Sequence, residues 1–112
     1  MDKKSNRKKV NRFIEAFTRD LKSIIPVEKV ILFGSYATNT NHPDSDVDLA
    51  FISPSFEGMD YLSRLKLIGS KRRYYDFAVD YFGFTPEEYE NASPLTTLGE
   101  IRETGEVLNT KS

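Results

Sequence analysis

The sequence predicts an α/β (α+β) fold, a small mixed β-sheet of three to four strands flanked by helices. Three observations lead there. A long segment of helical periodicity opens the chain, two short apolar runs at Lys29–Phe33 and Asp46–Ile52 follow, and an aromatic-rich run ending near Phe84 comes after a further helical stretch. Strands alternating with helical segments imply a sheet with helices packed on it.

Val10, Phe13, Ile14, Phe17, Leu21, Ile24 and Ile25 recur every three or four residues, which predicts an amphipathic helix from about Ser5 to Ile24, ended by Pro26. Lys29–Phe33 (KVILF) is too short for a separate helix and stops at Gly34, so it reads as a buried strand. Tyr36-Ala37-Thr38 has the residues for a first helical turn after Gly34-Ser35. The turn formers of Asn39 to Ser45 then make a loop. Asp46–Ile52 (DVDLAFI) reads as a second strand, although β-propensity argues against its two aspartates.

Pro54 to Gly58 is a loop. Tyr61, Leu62, Leu65 and Ile68 give a helix with Asp60 at its cap, which would cross to a third strand within Asp76–Phe84. Thr85-Pro86-Glu87-Glu88 is a helix start: a capping threonine, proline at the first position and acids at the positive end of the dipole. Leu95, Leu98 and Ile101 predict a last helix ending near Gly105, with Val107-Leu108 as a short edge strand.

At 112 residues the expectation is one domain, 1–112, with one sheet-centred core. Apolar residues make up 38% and charged ones 29%, an ordinary globular composition rather than a disordered one. There is no cysteine and a single histidine, His42, so thiolate and multi-histidine metal sites are excluded and any metal must be held by oxygen. The basic opening MDKKSNRKK is not followed by an unbroken apolar run, since Asn11, Arg12 and Glu15 interrupt it, and no stretch is long enough to span a membrane. A cytoplasmic protein with no membrane partner is therefore expected. Net charge is −1, with basic side chains gathered in the first helix and at Lys71-Arg72-Arg73 and an acidic balance from Glu87 to Glu106. The basic helix lacks interleaved aromatics, so a solvated face is favoured over a nucleic-acid surface.

Side chains two apart in a strand share a face, so Asp46 and Asp48 should project together, their backbones roughly 6.6 Å apart. Like charges so placed repel and raise a pKa unless a cation joins them, and hard carboxylate oxygens suit Mg²⁺. An Asp-x-Asp pair alone is a weak signal; a solvent-facing edge strand would carry it equally well. Upstream, however, the first strand runs straight into Gly34-Ser35. Glycine permits close backbone approach to a phosphate, and the serine hydroxyl can donate to its oxygen.

The segment FGSYATNTNHPDSDVDLAFIS resembles the signature of the DNA polymerase β-type nucleotidyltransferase superfamily, in the form of its minimal members: strand, Gly-Ser, a loop of roughly ten residues, then an Asp-x-Asp strand. The resemblance covers about Val30 to Tyr89 and implies the palm-like nucleotidyltransferase fold. It implies that Gly34 and Ser35 bind the triphosphate of ATP or another nucleoside triphosphate, that Asp46 and Asp48 hold two Mg²⁺ ions, and that a third acid on a later strand completes the catalytic set. Asp80 fits that third position; Asp76 shares its strand parity but would open the strand in solvent. Family members often read GSRARG after the strand, whereas this chain has Tyr36, Thr38 and Asn39, and Lys71, Arg72 or Arg73 would have to supply phosphate charge instead.

The activity so implied is transfer of a nucleoside monophosphate to a hydroxyl, with pyrophosphate leaving. Small members of this superfamily act as antitoxins beside HEPN-type toxins, which implies such a toxin as protein partner and acceptor. The alternative is a catalytically degenerate binding module that neutralises its partner by contact. Aminoglycoside modification is disfavoured, because no further helical domain is present to shape a drug pocket. Tyr74, Tyr75, Tyr81, Phe82 and Phe84 are expected to pack a core and its rim before stacking a base, and His42 is expected at the surface.

Overall fold

The computed structural model describes residues 3–42, 45–72 and 78–108. Helix α1 spans Lys3–Lys22 and buries Val10, Phe13, Ile14, Phe17 and Leu21, the stripe its sequence spacing predicts. Strand β1 (Lys29–Phe33) occupies the predicted residues, and β2 (Val47–Ile52) begins one residue later than expected, leaving Asp46 just outside it. Helix α2 (Tyr61–Gly69) starts at Asp60, whose carboxylate accepts from the Ser63 amide and is held below its ordinary pKa chiefly by that hydrogen-bonding partner. Strand β3 (Val79–Phe84) leads into α3 (Pro86–Glu90), where Thr85 and Glu88 close a reciprocal capping box. Helix α4 (Thr97–Thr104) and strand β4 (Glu106–Leu108) end the described chain.

The four strands lie in the order β3-β2-β1-β4. β1 runs antiparallel to both β2 and β4, whereas β2 and β3 are parallel, which requires the crossover through α2. Strand alternation then sorts the core into two layers. Val30, Leu32, Val47, Leu49 and Phe51 face α1, where Phe17 meets Phe51 edge-on at 5.3 Å and Tyr81 at 5.9 Å. Ile31, Ala50 and Ile52 face the other way, onto Tyr89 of α3 and Ile101 of α4. Full burial of a side chain the size of Phe17 contributes roughly 2–3 kcal/mol, so the α1 layer dominates the packing.

Gly83 allows α2 to approach the sheet: a Cβ there would lie 2.8 Å from the Phe56 ring and 3.1 Å from Ile68. Arg64 secures the same junction, donating to the carbonyls of Met59 and Gly83 and to both carboxylate oxygens of Glu88. With Arg64 beside Gly83 and Gly69 beside Tyr81, α2 runs antiparallel to β3. The residues just past its C-terminus, Lys71 and Arg72, therefore lie toward the end of the sheet that carries Asp80.

Candidate active site

At the end of the sheet where β1 finishes and β2 and β3 begin, three residues form a row on one face: Phe33 of β1, Asp48 of β2 and Asp80 of β3. Register sets it, since Asp48 pairs with Phe33 on one side and with Asp80 on the other. The Asp48 and Asp80 carboxyl groups lie within hydrogen-bonding reach of each other. Half-buried among neighbouring side chains, the Asp48 carboxyl is pushed up from 3.8 to about 6, first by desolvation, then by the charges of Asp80 and Asp46, and last by the hydrogen bond with Asp80. The sequence leads one to expect repulsion chiefly within the Asp46/Asp48 pair. Across the sheet, Asp80 acts on Asp48 more strongly than Asp46 does, because a parallel register brings it directly alongside.

Asp46 precedes β2 and is exposed. Just before it, the His42 amide donates to Ser45 Oγ at 2.8 Å and the Ser45 amide donates to the His42 carbonyl at 2.9 Å. His42 itself is exposed. Asp76, the competing third acid, lies outside the described residues, as do Arg73, Tyr74 and Tyr75.

β1 delivers Gly34 against this row. Its φ is +75°, a conformation open to glycine and strained for other residues, and a Cβ there would run into the Asp48 carboxylate. Glycine at position 34 thus makes room for an acid to stand beside the turn. Gly34–Tyr36 form a single 3₁₀ turn rather than the α-helical start expected from Tyr36-Ala37-Thr38. The amides of both Ala37 and Thr38 donate to the Gly34 carbonyl, and Thr40 closes the turn on the Ser35 carbonyl at 2.9 Å.

The departures from GSRARG have separate physical fates. Asn39 takes the left-handed conformation at φ 59°, which asparagine tolerates better than most residues, so the backbone that glycine would serve is retained. Thr38 turns its hydroxyl inward, 3.3 Å from the Gly34 carbonyl and 2.9 Å from the Thr40 hydroxyl. Tyr36 is 3% exposed and packs in the α1 layer, so it offers no charge to a phosphate. Among the described residues, the cations that topology directs to this end of the sheet include Lys71 and Arg72.

Among the described residues no three acids close on one point as a finished metal cage. The donor set nonetheless fits a hard divalent cation. Mg²⁺ takes only one or two protein carboxylates and fills its remaining positions with water and phosphate oxygens, and Asp48 and Asp80 stand side by side with Asp46 close enough to be felt.

Over residues 11–100 the sequence matches the nucleotidyltransferase domain family. The chain belongs to that family. No curated protein matches the sequence. Among solved structures, a presumed nucleotidyltransferase from Sulfolobus solfataricus superposes with a TM-score of 0.72 at 18% identity, covering 99% of this chain and 91% of that one. A toxin–antitoxin structure with AMP-PNP gives 0.57 at 23% identity, covering 88% and 73%. A mutant of the toxin–antitoxin MntA-HpeT, with two Asp-to-Glu changes, gives 0.52 at 21% identity, covering 84% and 70%. At such identities these likenesses establish a shared fold. The nucleotidyltransferase domain of this chain is thus a four-stranded mixed sheet with helices on both faces, as its sequence predicts.

Sequence reasoning missed two features of this domain. The left-handed Asn39 was signalled only by residue type. The second is an aromatic strip on the acid-bearing face, formed by Phe33, Phe82, Phe84 and Tyr61. Its signal was the parity of Asp80, Phe82 and Phe84, which separates them from Tyr81 in the α1 layer.

Proposed function

We propose that this chain is a Mg²⁺-dependent nucleotidyltransferase that moves a nucleoside monophosphate, AMP from ATP, onto a hydroxyl of a protein or small-molecule acceptor. The observation that carries the reading is the pairing of Asp48 with Asp80 beside the positive-φ Gly34. In the reaction a bond forms between the acceptor oxygen and the α-phosphorus, and the bond from that phosphorus to the β-phosphate bridging oxygen breaks. Pyrophosphate departs with the electron pair. Asp46, Asp48 and Asp80 would hold two Mg²⁺ ions, which supply charge neutralisation of the phosphates and a lowered pKa for the acceptor hydroxyl.

The remaining tasks fall to the chain itself. Gly34 and Ser35 receive the triphosphate, through close backbone approach and through the serine hydroxyl as donor. Asp80, exposed on the edge strand, takes the acceptor's proton onto a carboxylate oxygen. Catalysis of this kind rests on positioning and electrostatics rather than on a protein nucleophile.

The toxin–antitoxin neighbours support a protein partner, and a HEPN-type toxin is the partner class we favour. One observation favours the second reading, a degenerate module acting by contact: Tyr36 is buried where family members often place an arginine. One experiment separates the two. The purified chain, α-³²P-ATP and Mg²⁺ are incubated with a HEPN-type toxin, and label on the toxin and released pyrophosphate are measured for wild type and Asp48→Asn. Transfer requires label with wild type alone. Equal neutralisation of the toxin by both proteins, without label, would establish contact as the function.

A further inference from the structure

Strand β3 lies at one side of the sheet and pairs with β2 alone. The Val47 amide donates to the Ala78 carbonyl and the Ser53 amide to the Phe84 carbonyl, so the even-numbered residues of β3 direct their backbone groups at β2. Consecutive residues alternate, which turns the N–H and C=O of Val79, Tyr81 and Gly83 outward. The Arg64 guanidinium donates to the Gly83 carbonyl at 3.1 Å. Among the described residues, no hydrogen bond reaches the outward groups of Val79 or Tyr81. The edge is therefore capped at the end remote from the acids and uncapped on either side of Asp80, which is itself exposed.

The chemistry of these groups identifies what they would take. Donors and acceptors alternating at strand spacing match another extended backbone, which is why exposed edges recruit chains and why proteins block them. Here the block is Arg64, and it stops short of the reactive end of the strand. Side-chain geometry agrees. A strand added to β3 sets one residue level with Asp80, with its side chain on the same face. Facing Cβ atoms lie about 4.5–5.5 Å apart, so a serine hydroxyl there comes within hydrogen-bonding reach of the Asp80 carboxylate. The row Phe33, Asp48, Asp80 then gains a fourth member at its outer end. Gly34-Ser35 follows β1 at the inner end. Leaving pyrophosphate and attacking hydroxyl are thus placed on opposite sides of the phosphorus, as an in-line displacement requires.

We infer that the β3 edge at Val79 and Tyr81 is the acceptor-docking site, and that it takes an extended segment of a partner protein as an added strand, with a hydroxyl-bearing residue level with Asp80. This inference rests on the proposed transferase reading and assigns the acceptor class that the acids alone leave open. The acceptor is held by its backbone, and register chooses the hydroxyl. That oxygen bonds the α-phosphorus, its proton passes to Asp80, and pyrophosphate leaves with the electron pair.

The test uses a nine-residue peptide of alternating valine and lysine whose central residue is serine. Two further versions carry N-methyl groups, one on the backbone amides of its even-numbered positions and the other on those of its odd-numbered positions. Each is added at saturating concentration to the ¹⁵N-labelled full chain with Mg²⁺ and ATP, and amide hydrogen exchange is compared with Mg²⁺–ATP alone. The parent peptide is expected to slow exchange at the Val79 and Tyr81 amides tenfold or more. The Asp80 and Phe82 amides, which already face β2, should change less than twofold. Only one set of peptide amides faces an added strand's neighbour, so one methylated version should protect like the parent and the other should not protect at all. Unchanged exchange at Val79 and Tyr81, equal protection of all four amides, protection on β4 instead, or equal behaviour of the two methylated peptides would each overturn the inference. So would labelling of the serine from α-³²P-ATP without that protection, which keeps the transferase and removes the docking edge. Failure of the transferase reading looks different: Val79 and Tyr81 are protected, yet the serine acquires no label.

Discussion

Asp48 and Asp80 stand opposite each other in a parallel strand pair, close enough for one carboxyl group to hydrogen-bond the other. Two acids in that relation oppose the fold's stability when both are charged, and they become an asset once a cation sits between them. Replacing Asp48 with asparagine should therefore separate stability from activity. Without divalent cation the Asp48→Asn protein is expected to melt a few degrees above wild type at pH 7.5, because a buried charge and its repulsion are removed. Its transfer rate should fall by about 10³-fold, the scale of losing several kcal/mol of charge stabilisation. A rate within tenfold of wild type would reject Asp48 as a catalytic group.

The same pair sets a pH dependence. The Asp48 pKa is raised in the folded protein, from 3.8 to about 6, so the folded state holds this proton more tightly than the unfolded state. Its contribution to stability is fully present below about pH 3.8 and is lost as pH rises through about 6. In EDTA, the melting temperature of wild type minus that of Asp48→Asn should fall between pH 4 and 6 and level off above. Mg²⁺ at millimolar concentration should raise the wild-type curve above pH 6 and leave the variant where it was, since binding to the native state alone stabilises it. A flat difference across this range would mean that neither burial nor the neighbouring acids raise the Asp48 pKa.

Much of this arrangement was legible in the sequence, and the part that was not has a definite physical origin. Local patterns are written locally: β1 fills Lys29–Phe33 as predicted, Asp60 caps α2, and Thr85 with Glu88 closes a capping box. Partnership between distant segments is not. Nothing in DVDLAFI or FAVDYF states that their strands run parallel with Asp48 level with Asp80, because register is fixed by the turns, the crossover helix and the buried face taken together. The 3₁₀ turn at Gly34–Tyr36 was missed for a related reason: the loop after it, closed by Thr38, Asn39 and Thr40, ends the helical geometry that the residues of the turn would accept.

Gly34 is the residue where backbone and chemistry meet most tightly. Gly34→Ala places a methyl group at φ +75° against the Asp48 carboxylate. Left-handed strain alone costs roughly 1–2 kcal/mol, and the carboxyl must also move. The variant should fold, melt lower than wild type, and bind a fluorescent ATP analogue in Mn²⁺ at least tenfold more weakly by anisotropy. Wild-type nucleotide affinity in this variant would show that the turn is a structural bend and no cradle.

Asn39 provides the converse experiment. Its φ of 59° suits glycine better than asparagine, so Asn39→Gly should keep the left-handed turn and serves as the reference for that conformation. A β-branched residue suits that conformation worst, and Asn39→Val should lower stability by roughly 1–2 kcal/mol in urea unfolding. Equal stability of the two variants would mean that the loop relaxes away from the left-handed conformation.

Arg64 ties the third acid's strand to the helix that positions it, and its removal tests whether that tie reaches the site. The guanidinium donates to Met59, to Gly83 within β3 and to both oxygens of Glu88. Arg64→Met keeps much of the side chain's bulk but leaves the Gly83 carbonyl and Glu88 without that donor, at a cost of roughly 2–3 kcal/mol. Lysine should not rescue it, because a single ammonium cannot reproduce the forked geometry. Glu88 also reports on the tie. Its pKa is lowered, first by the hydrogen bond from Arg64, so the stability it contributes is present above its ordinary 4.5 and is lost as pH falls through the depressed value. Arg64→Met should therefore flatten the acid limb of the stability profile below pH 4.5 while leaving the Asp48-dependent limb between pH 4 and 6 intact. Loss of both limbs together would mean that Arg64 holds Asp80 level with Asp48, and that the register of the site depends on a salt bridge at the opposite end of β3.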